Sequence, residues 1–178
     1  MSQINEHTNQ EFSFVKTISF LDGQILEGRH LNLIQKNFAE GIKRRGVEYK
    51  YDTYILVSPY KYYFYEPFVD TKNRHKDSTS TIDQVRFVIS SGEWITPMLT
   101  LPEPTKEVYL TASSDYNIQR GSLVEVFYRT LDAPDWKKFN ADEPLYFTSQ
   151  IENIQVKLKL SYTGSERPDV ADFALFIR

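Results

Sequence analysis

The stretch "IENIQVKLKLSY", Ile151 to Tyr162, constrains the possible folds of this chain more than any other part of it. Ile154, Val156, Leu158, Leu160 and Tyr162 fall on every second position, with Gln155, Lys157, Lys159 and Ser161 between them. Successive side chains of a strand point to opposite faces, so this spacing makes one apolar and one polar face. A slip of one residue would bury both lysines, which sets the register firmly.

The same period recurs on either side. Val85, Phe87 and Ile89 alternate with Gln84, Arg86 and Val88, and in "GSLVEVFYRT" Leu123 and Phe127 oppose Val124, Val126 and Tyr128. "DFALFIR" is short and hydrophobic, as expected of a terminal strand tucked into a sheet. Turn-forming runs divide these segments: "LPEPTK", "SSDYN", "LDAPDW", "ADEP" and "GSERPD". Short strands at this spacing predict a mainly β fold, an antiparallel β-sandwich. "FSFVKTISFL" (Phe12 to Leu21) is expected to add a strand after a polar start, and no internal repeat is visible.

One segment reads differently. After Asp22-Gly23, Leu31, Ile34, Phe38 and Ile42 follow one another at spacings of three, four and four, one stripe of a 3.6-residue helix. Lys43, Arg44 and Arg45 suit the negative end of the helix dipole, and Gly46 supplies a left-handed stop. The stripe either docks on its own domain or forms a narrow seam for copies of itself or partner helices. The basic end, Arg44 and Arg45 included, either caps the helix or meets acidic patches on a neighbour.

Seven of the 12 tyrosines lie between Tyr49 and Tyr65, in "VEYKYDTYILVSPYKYYFYEPFV", which predicts two strands about a Ser58-Pro59 turn. "DTKNRHKDSTS" is charged and aperiodic. The expected organisation is an N-terminal assembly segment (1–70), a linker or exposed loop (71–80) and a β-sandwich domain (81–178).

In the predicted strand Tyr60, Tyr62 and Phe64 face one way, and Tyr63 and Tyr65 the other. Exposed rings would stack on sugars, each with an apolar face and a polar tip. The same rings also suit a sheet face or subunit contact. Trp94 in "SGEWITP" and Trp136 in "APDWKKF" carry the same two readings.

Catalytic and metal chemistry find little support. His7, His30 and His75 are dispersed, so no histidine metal cluster or triad is expected. Asp132/Asp135 and Asp142/Glu143 sit in turns without the run of oxygen ligands that Ca²⁺ needs. The seven glycines form no phosphate loop, and the chain has no cysteine for a disulfide, thiolate site or nucleophile. The chain is therefore expected to be no enzyme and to use no cofactor. A net charge of −3 gives no basic footprint for nucleic acid or an anionic membrane. The longest aliphatic run is Ile55-Leu56-Val57, and the start shows no signal-peptide pattern, so a soluble chain made in the cytoplasm is expected.

Two stretches share a resemblance. "FLDGQILEGRHLNLIQKNF", through Gly23-Gln24, Leu26, Gly28, Leu31-Asn32 and Ile34-Gln35, resembles an element of tailed-bacteriophage virion proteins of the baseplate and tail-fibre-attachment kind. Glu27 stands where such elements carry Thr or Ser as an N-cap; Glu favours a helix N-terminus electrostatically but caps its amides less well. "IENIQVKLKLSYTGSERPDVADFALFIR" is similar to the closing strands of jelly-roll modules in phage tail proteins, and "GSLVEVFYRTLDAPDWKKF" to their strand-then-Trp passage. The resemblance implies a virion component whose helix packs on equivalent helices or neighbouring tail proteins, through Leu31, Ile34, Phe38 and Ile42. A host-glycan-binding module using Trp94, Trp136, Tyr60 and Tyr62 is the alternative.

Overall fold

A computed structural model describes residues 28–116 and 118–178. The strand expected at 12–21 lies outside them. Among the described residues, one helix, α1 (Gly28–Val57), is followed by β1 (Tyr62–Glu66), β2 (Ile82–Asp83), β3 (Val88–Ile89), β4 (Gly92–Ile95) and β5 (Leu99–Asp115). Then come β6 (Ser122–Arg129), β7 (Lys137–Phe139), β8 (Pro144–Tyr162) and β9 (Asp169–Ile177). The fold is mainly β, a curled antiparallel sheet forming a sandwich or half-barrel, with the helix ahead of it.

β8 organises the curl. Its first part pairs with β5, from Tyr109↔Pro144 to Leu99↔Ile154. Its second part leaves β5 and pairs with β4 on one edge (Gly92↔Leu160) and β6 on the other (Ser122↔Tyr162). One 19-residue strand thus belongs to both layers, and the apolar alternation read from 151–162 becomes the core. Ile154, Val156 and Leu158 are wholly buried, Leu160 nearly so, and Tyr162 emerges at the rim. The polar face behaves as expected at Lys159, which is exposed, and at Lys157, which reaches Glu93 at 3.5 Å. Gln155 departs from it. It is buried and donates from Nε2 to the Thr96 carbonyl at 2.6 Å, because β4 folds over that point.

β9 is the other spine. One edge pairs with β5 along its length, while the other is shared by β1 (Tyr62↔Ile177) and β3 (Ile89↔Val170). This terminal strand is buried as its composition predicts. β1 therefore belongs to the same sheet as the strands beyond residue 81, and the sheet crosses the boundary expected at 70. Residues 71–80 form a loop pinned on β4 and not a free linker: Ser78 Oγ accepts from the Ile95 amide at 2.9 Å, and the Thr79 and Ser80 amides both donate to the Glu93 carbonyl. Gly92 lies against this loop at φ 77°, where a Cβ would meet Thr79 Oγ1 at 2.8 Å. Only glycine fits that approach without strain.

Three local expectations are corrected. "LPEPTK" is not a turn but part of β5. Pro102 and Pro104 lack amide donors, and the ladder absorbs them through register shifts on both sides of Thr105. The alternation at 84–89 yields a strand only at Val88 and Ile89. Before it the chain turns, held by Asp83, whose carboxylate accepts from the Val85 and Arg86 amides at 2.9 and 3.0 Å.

The largest correction concerns 47–57, expected as a strand after a helix that stops at Gly46. α1 instead continues through Gly46 to Val57, and of the Tyr-rich stretch only Tyr62–Glu66 is strand. Val47, Tyr51 and Ile55 repeat every four residues, so as a helix they share one face without Tyr49 and Thr53, whereas as a strand they would share it with both. Burying that helical face outweighs the modest β preference of Tyr and Val.

Candidate functional site

α1 is about 45 Å long at 1.5 Å per residue, and its two sides differ. The inner side docks on the sheet. Val47, Tyr51 and Ile55 are buried with Tyr60, Tyr63, Ala174 and Phe176 in a cluster separate from the sandwich core. Phe176, wholly buried on β9, lies at its centre. Its ring is 4.6 Å from Tyr54, 5.7 Å from Tyr51, and 5.9 Å from both Tyr60 and Tyr63. Tilted and edge-on pairs at such distances add to what area burial supplies.

A polar clamp holds the same side. Asp172 of β9, 5% exposed, accepts from Tyr51 Oη at 2.5 Å, Lys50 Nζ at 2.9 Å and Ser113 Oγ at 2.9 Å, with Lys43 Nζ at 3.7 Å. Burial alone would raise the Asp172 pKa, but the hydrogen bonds from Tyr51 and Lys50, with the charge of Lys50, outweigh it and hold the carboxyl below its ordinary value. Burial, then the Asp172 charge, pushes the Tyr51 hydroxyl far above its ordinary value, so it stays a donor. Tyr63 Oη adds a second tie, to Asp52 at 2.6 Å.

Arg44 and Arg45, expected in a last helical turn, lie in mid-helix. Arg44 pairs with Asp70 at 2.9 Å, joining α1 to the chain after β1, and Arg45 pairs with Glu48 at 2.9 Å within the helix. Both guanidiniums thus have partners in their own chain.

The outer side carries most of the exposed apolar residues of α1; Leu33, 47% exposed, lies on the Val47 side. Phe38 is 57% exposed, Ile42 54%, Tyr49 75% and Leu56 75%. At 100° per residue these four fall within about 40° of one another, and Val47, Tyr51 and Tyr54 lie on the opposite side. Leu31 and Ile34 continue the spacing in sequence, but their side chains lie outside the described residues. The sequence reading found Phe38 and Ile42 and missed Tyr49 and Leu56, because it placed them in a strand. The signal was there: Ile42, Tyr49 and Leu56 are seven apart, two helical turns.

The aromatic residues considered for sugar binding do not form one platform. Trp94 is wholly buried, edge-on to Phe68 at 5.0 Å, and offers no ring face to a ligand. Tyr60 is buried against Phe176 and Tyr109. Tyr62 is half-buried on the sandwich side with its hydroxyl on Glu103 at 3.0 Å. Trp136, half-buried like Tyr62, lies against Arg129 at 4.6 Å and Lys157 at 4.8 Å. These cations hold it by cation–π attraction.

Asp132 and Glu152 line an open polar depression of about 340 Å³ with Thr130, Gln150 and Asn153. Among the described residues, no group of three or more His, Asp or Glu is placed to hold a metal ion. No described helix is long and apolar enough to cross a membrane.

No family model matches the chain, and no curated protein matches it in sequence. Among solved structures it is similar to a chain in the crystal structure of accessory secretory protein 1, 2 and 3 in Streptococcus pneumoniae. That likeness has 14% identity and a TM-score of 0.38 over 62% of this chain and 94% of the other.

Proposed function

We propose that this protein is a non-enzymatic structural component that docks on neighbouring subunits through the outer face of α1, with the β-sandwich as its rigid body. One observation carries the reading: a helix clamped to its own sheet along one side leaves Phe38, Ile42, Tyr49 and Leu56 open along the other. Exposed apolar side chains repeated along the face of a helix whose other side is already docked mark an interaction surface. The resemblance of 20–38 and 151–178 to tailed-phage virion proteins gives the setting: a bacteriophage tail, in the baseplate or at a fibre attachment point. Its partners there are other tail proteins and copies of itself. The glycan-binding reading is not the one the geometry favours, since Trp94 and Tyr60 are buried and the Trp136 ring lies against Arg129 and Lys157.

The test is co-expression with the proteins encoded beside it, followed by affinity capture and particle mass spectrometry. The chain is expected in assembled tails and in complex with a neighbour or itself, and Phe38→Asp with Ile42→Asp should remove it from both. An indifferent monomer, absent from particles, would overturn the reading.

A further inference from the structure

We infer that residues 67–80 are a strap over the sandwich core, latched by the protonated Glu66 carboxyl and released, with the sheet still folded, when that carboxyl ionises. The inference is independent of the docking reading. Among the described residues, the buried side-chain polar atoms without a hydrogen-bond partner are Glu66 Oε2, Arg74 Nε and Trp94 Nε1. All three lie at the root of the strap, on it, or on the strand it is pinned to, which makes this the least satisfied part of the interior. Phe68, wholly buried, holds a φ of 52°, a left-handed backbone that a bulky residue keeps only when its surroundings impose it. Glu66 imposes it: Oε1 accepts from the Phe68 amide at 2.8 Å, and the Phe68 ring is seated edge-on to Trp94 at 5.0 Å.

A neutral carboxyl tolerates that place. A charged one, with one oxygen unpartnered, recovers its hydration by lifting the strap. The charged neighbours do not offset this. Arg44 of α1 is held by Asp70 of the strap at 2.9 Å, and the two act on Glu66 with opposite sign. The Arg74 guanidinium is turned to the Ser78 carbonyl at 2.7 Å, His75 and Asp77 face each other at 3.5 Å, and Lys72 and Lys76 are exposed. On β9 the ladder partner of Glu66 is Phe173, and β4 supplies Trp94; neither carries charge. Burial outweighs the Phe68 amide and Asn73, so the folded-state value rises to about 7. The latch is therefore complete below the ordinary 4.5 and fades as pH rises to about 7. No residue of the strap belongs to a strand, and the amides of His75, Thr79 and Ser80 are its backbone ties to β4, so it can open by itself.

Hydrogen exchange of the full chain between pH 5 and 8 tests this. Corrected for the intrinsic rate, protection of the Phe68, His75, Thr79 and Ser80 amides should fall about tenfold per pH unit up to about pH 7 and then level off. At every pH it should stay at least about 100-fold below that of β5, β8 and β9, the mark of local opening. Glu66→Gln should abolish the slope, and His75→Gln should keep it. Strap protection equal to that of the strands would mean that Glu66 is reached only by global unfolding, and would overturn the latch. A wild-type profile without slope would overturn it too, even if Glu66→Gln failed to fold, as would a slope that survives Glu66→Gln or disappears with His75→Gln.

Discussion

Tyr51 of the helix donates its hydroxyl hydrogen bond to Asp172 of the last strand at 2.5 Å, across 121 residues of chain. The contact ties the α-helix to the most buried strand of the sheet. It also explains how a helix with a largely open outer face keeps a fixed position: its inner face is held by a buried charge with several donors and by the ring of Phe176 beneath.

Removing the hydroxyl tests the clamp. Tyr51→Phe takes one donor from a buried carboxylate and should lower unfolding stability by about 1.5–3 kcal/mol, the range for a hydrogen bond to a charged group. Urea denaturation measures it. Hydrogen exchange should show the loss first at 47–57, with the strands of the sandwich core less affected.

Because the Asp172 pKa is lowered by folding, its contribution is present above the ordinary carboxylate range and is lost as pH falls through the folded-state value. Acid titration of wild type should therefore loosen the helix from the sheet. Asp172→Asn should remove that part of the acid sensitivity while being less stable at neutral pH. Equal acid midpoints for the two chains would contradict the assignment.

Glu66 gives the opposite sign. It is 1% exposed; Oε1 accepts from the Phe68 amide at 2.8 Å, and Oε2 has no hydrogen-bond partner. Burial lifts its pKa to about 7 from an ordinary 4.5. Folding thus favours the protonated form. Its stabilisation is complete below pH 4.5 and is lost as pH rises to about 7, on the order of 3 kcal/mol in all. Glu66→Gln should flatten the stability profile between those values and raise stability above pH 7. A wild-type profile with no decline across that window would rule the effect out.

Gly46 tests the continuous helix. It lies inside α1, and a Cβ there would meet nothing within 4 Å. Gly46→Ala should stabilise the protein by roughly 0.5–1 kcal/mol, since glycine within a helix carries that entropic disadvantage. Thermal unfolding should shift upward by about 1–4 °C. If Gly46 ended the helix in a left-handed conformation, the same change would destabilise.

The buried ring under the helix is the largest single target. Phe176→Ala removes a wholly buried side chain from among five aromatic neighbours and should cost about 3–5 kcal/mol. Chemical denaturation reads it directly.

Much of the β architecture was legible along the chain. The alternation at 151–162 fixed which residues face the core, and the hydrophobic terminus marked β9 as a buried strand. Both signals are local, because a period of two acts within a few residues and a slip carries a large burial penalty. The helix was legible in its first half for the same reason. Its second half was not, since "VEYKYDTYILV" is rich in strand formers and its helical repeat, Val47–Tyr51–Ile55, gains its energy only when Phe176, 121 residues beyond Ile55, lies beneath it.

The candidate surface divides the same way. Phe38 and Ile42 were visible as a helical stripe, while Tyr49 and Leu56 joined them only once the helix was known to continue. No spacing could have revealed that Trp94 is buried under Phe68, or that Asp172 gathers Tyr51, Lys50 and Ser113, because those residues meet through chain pairing. The sequence alone settled the strand at 151–162, whose own period separates apolar from polar. Only the tertiary structure decided the extent of α1 and the side it leaves open, because a residue's secondary-structure preference is under about 1 kcal/mol and burial against distant partners exceeds it.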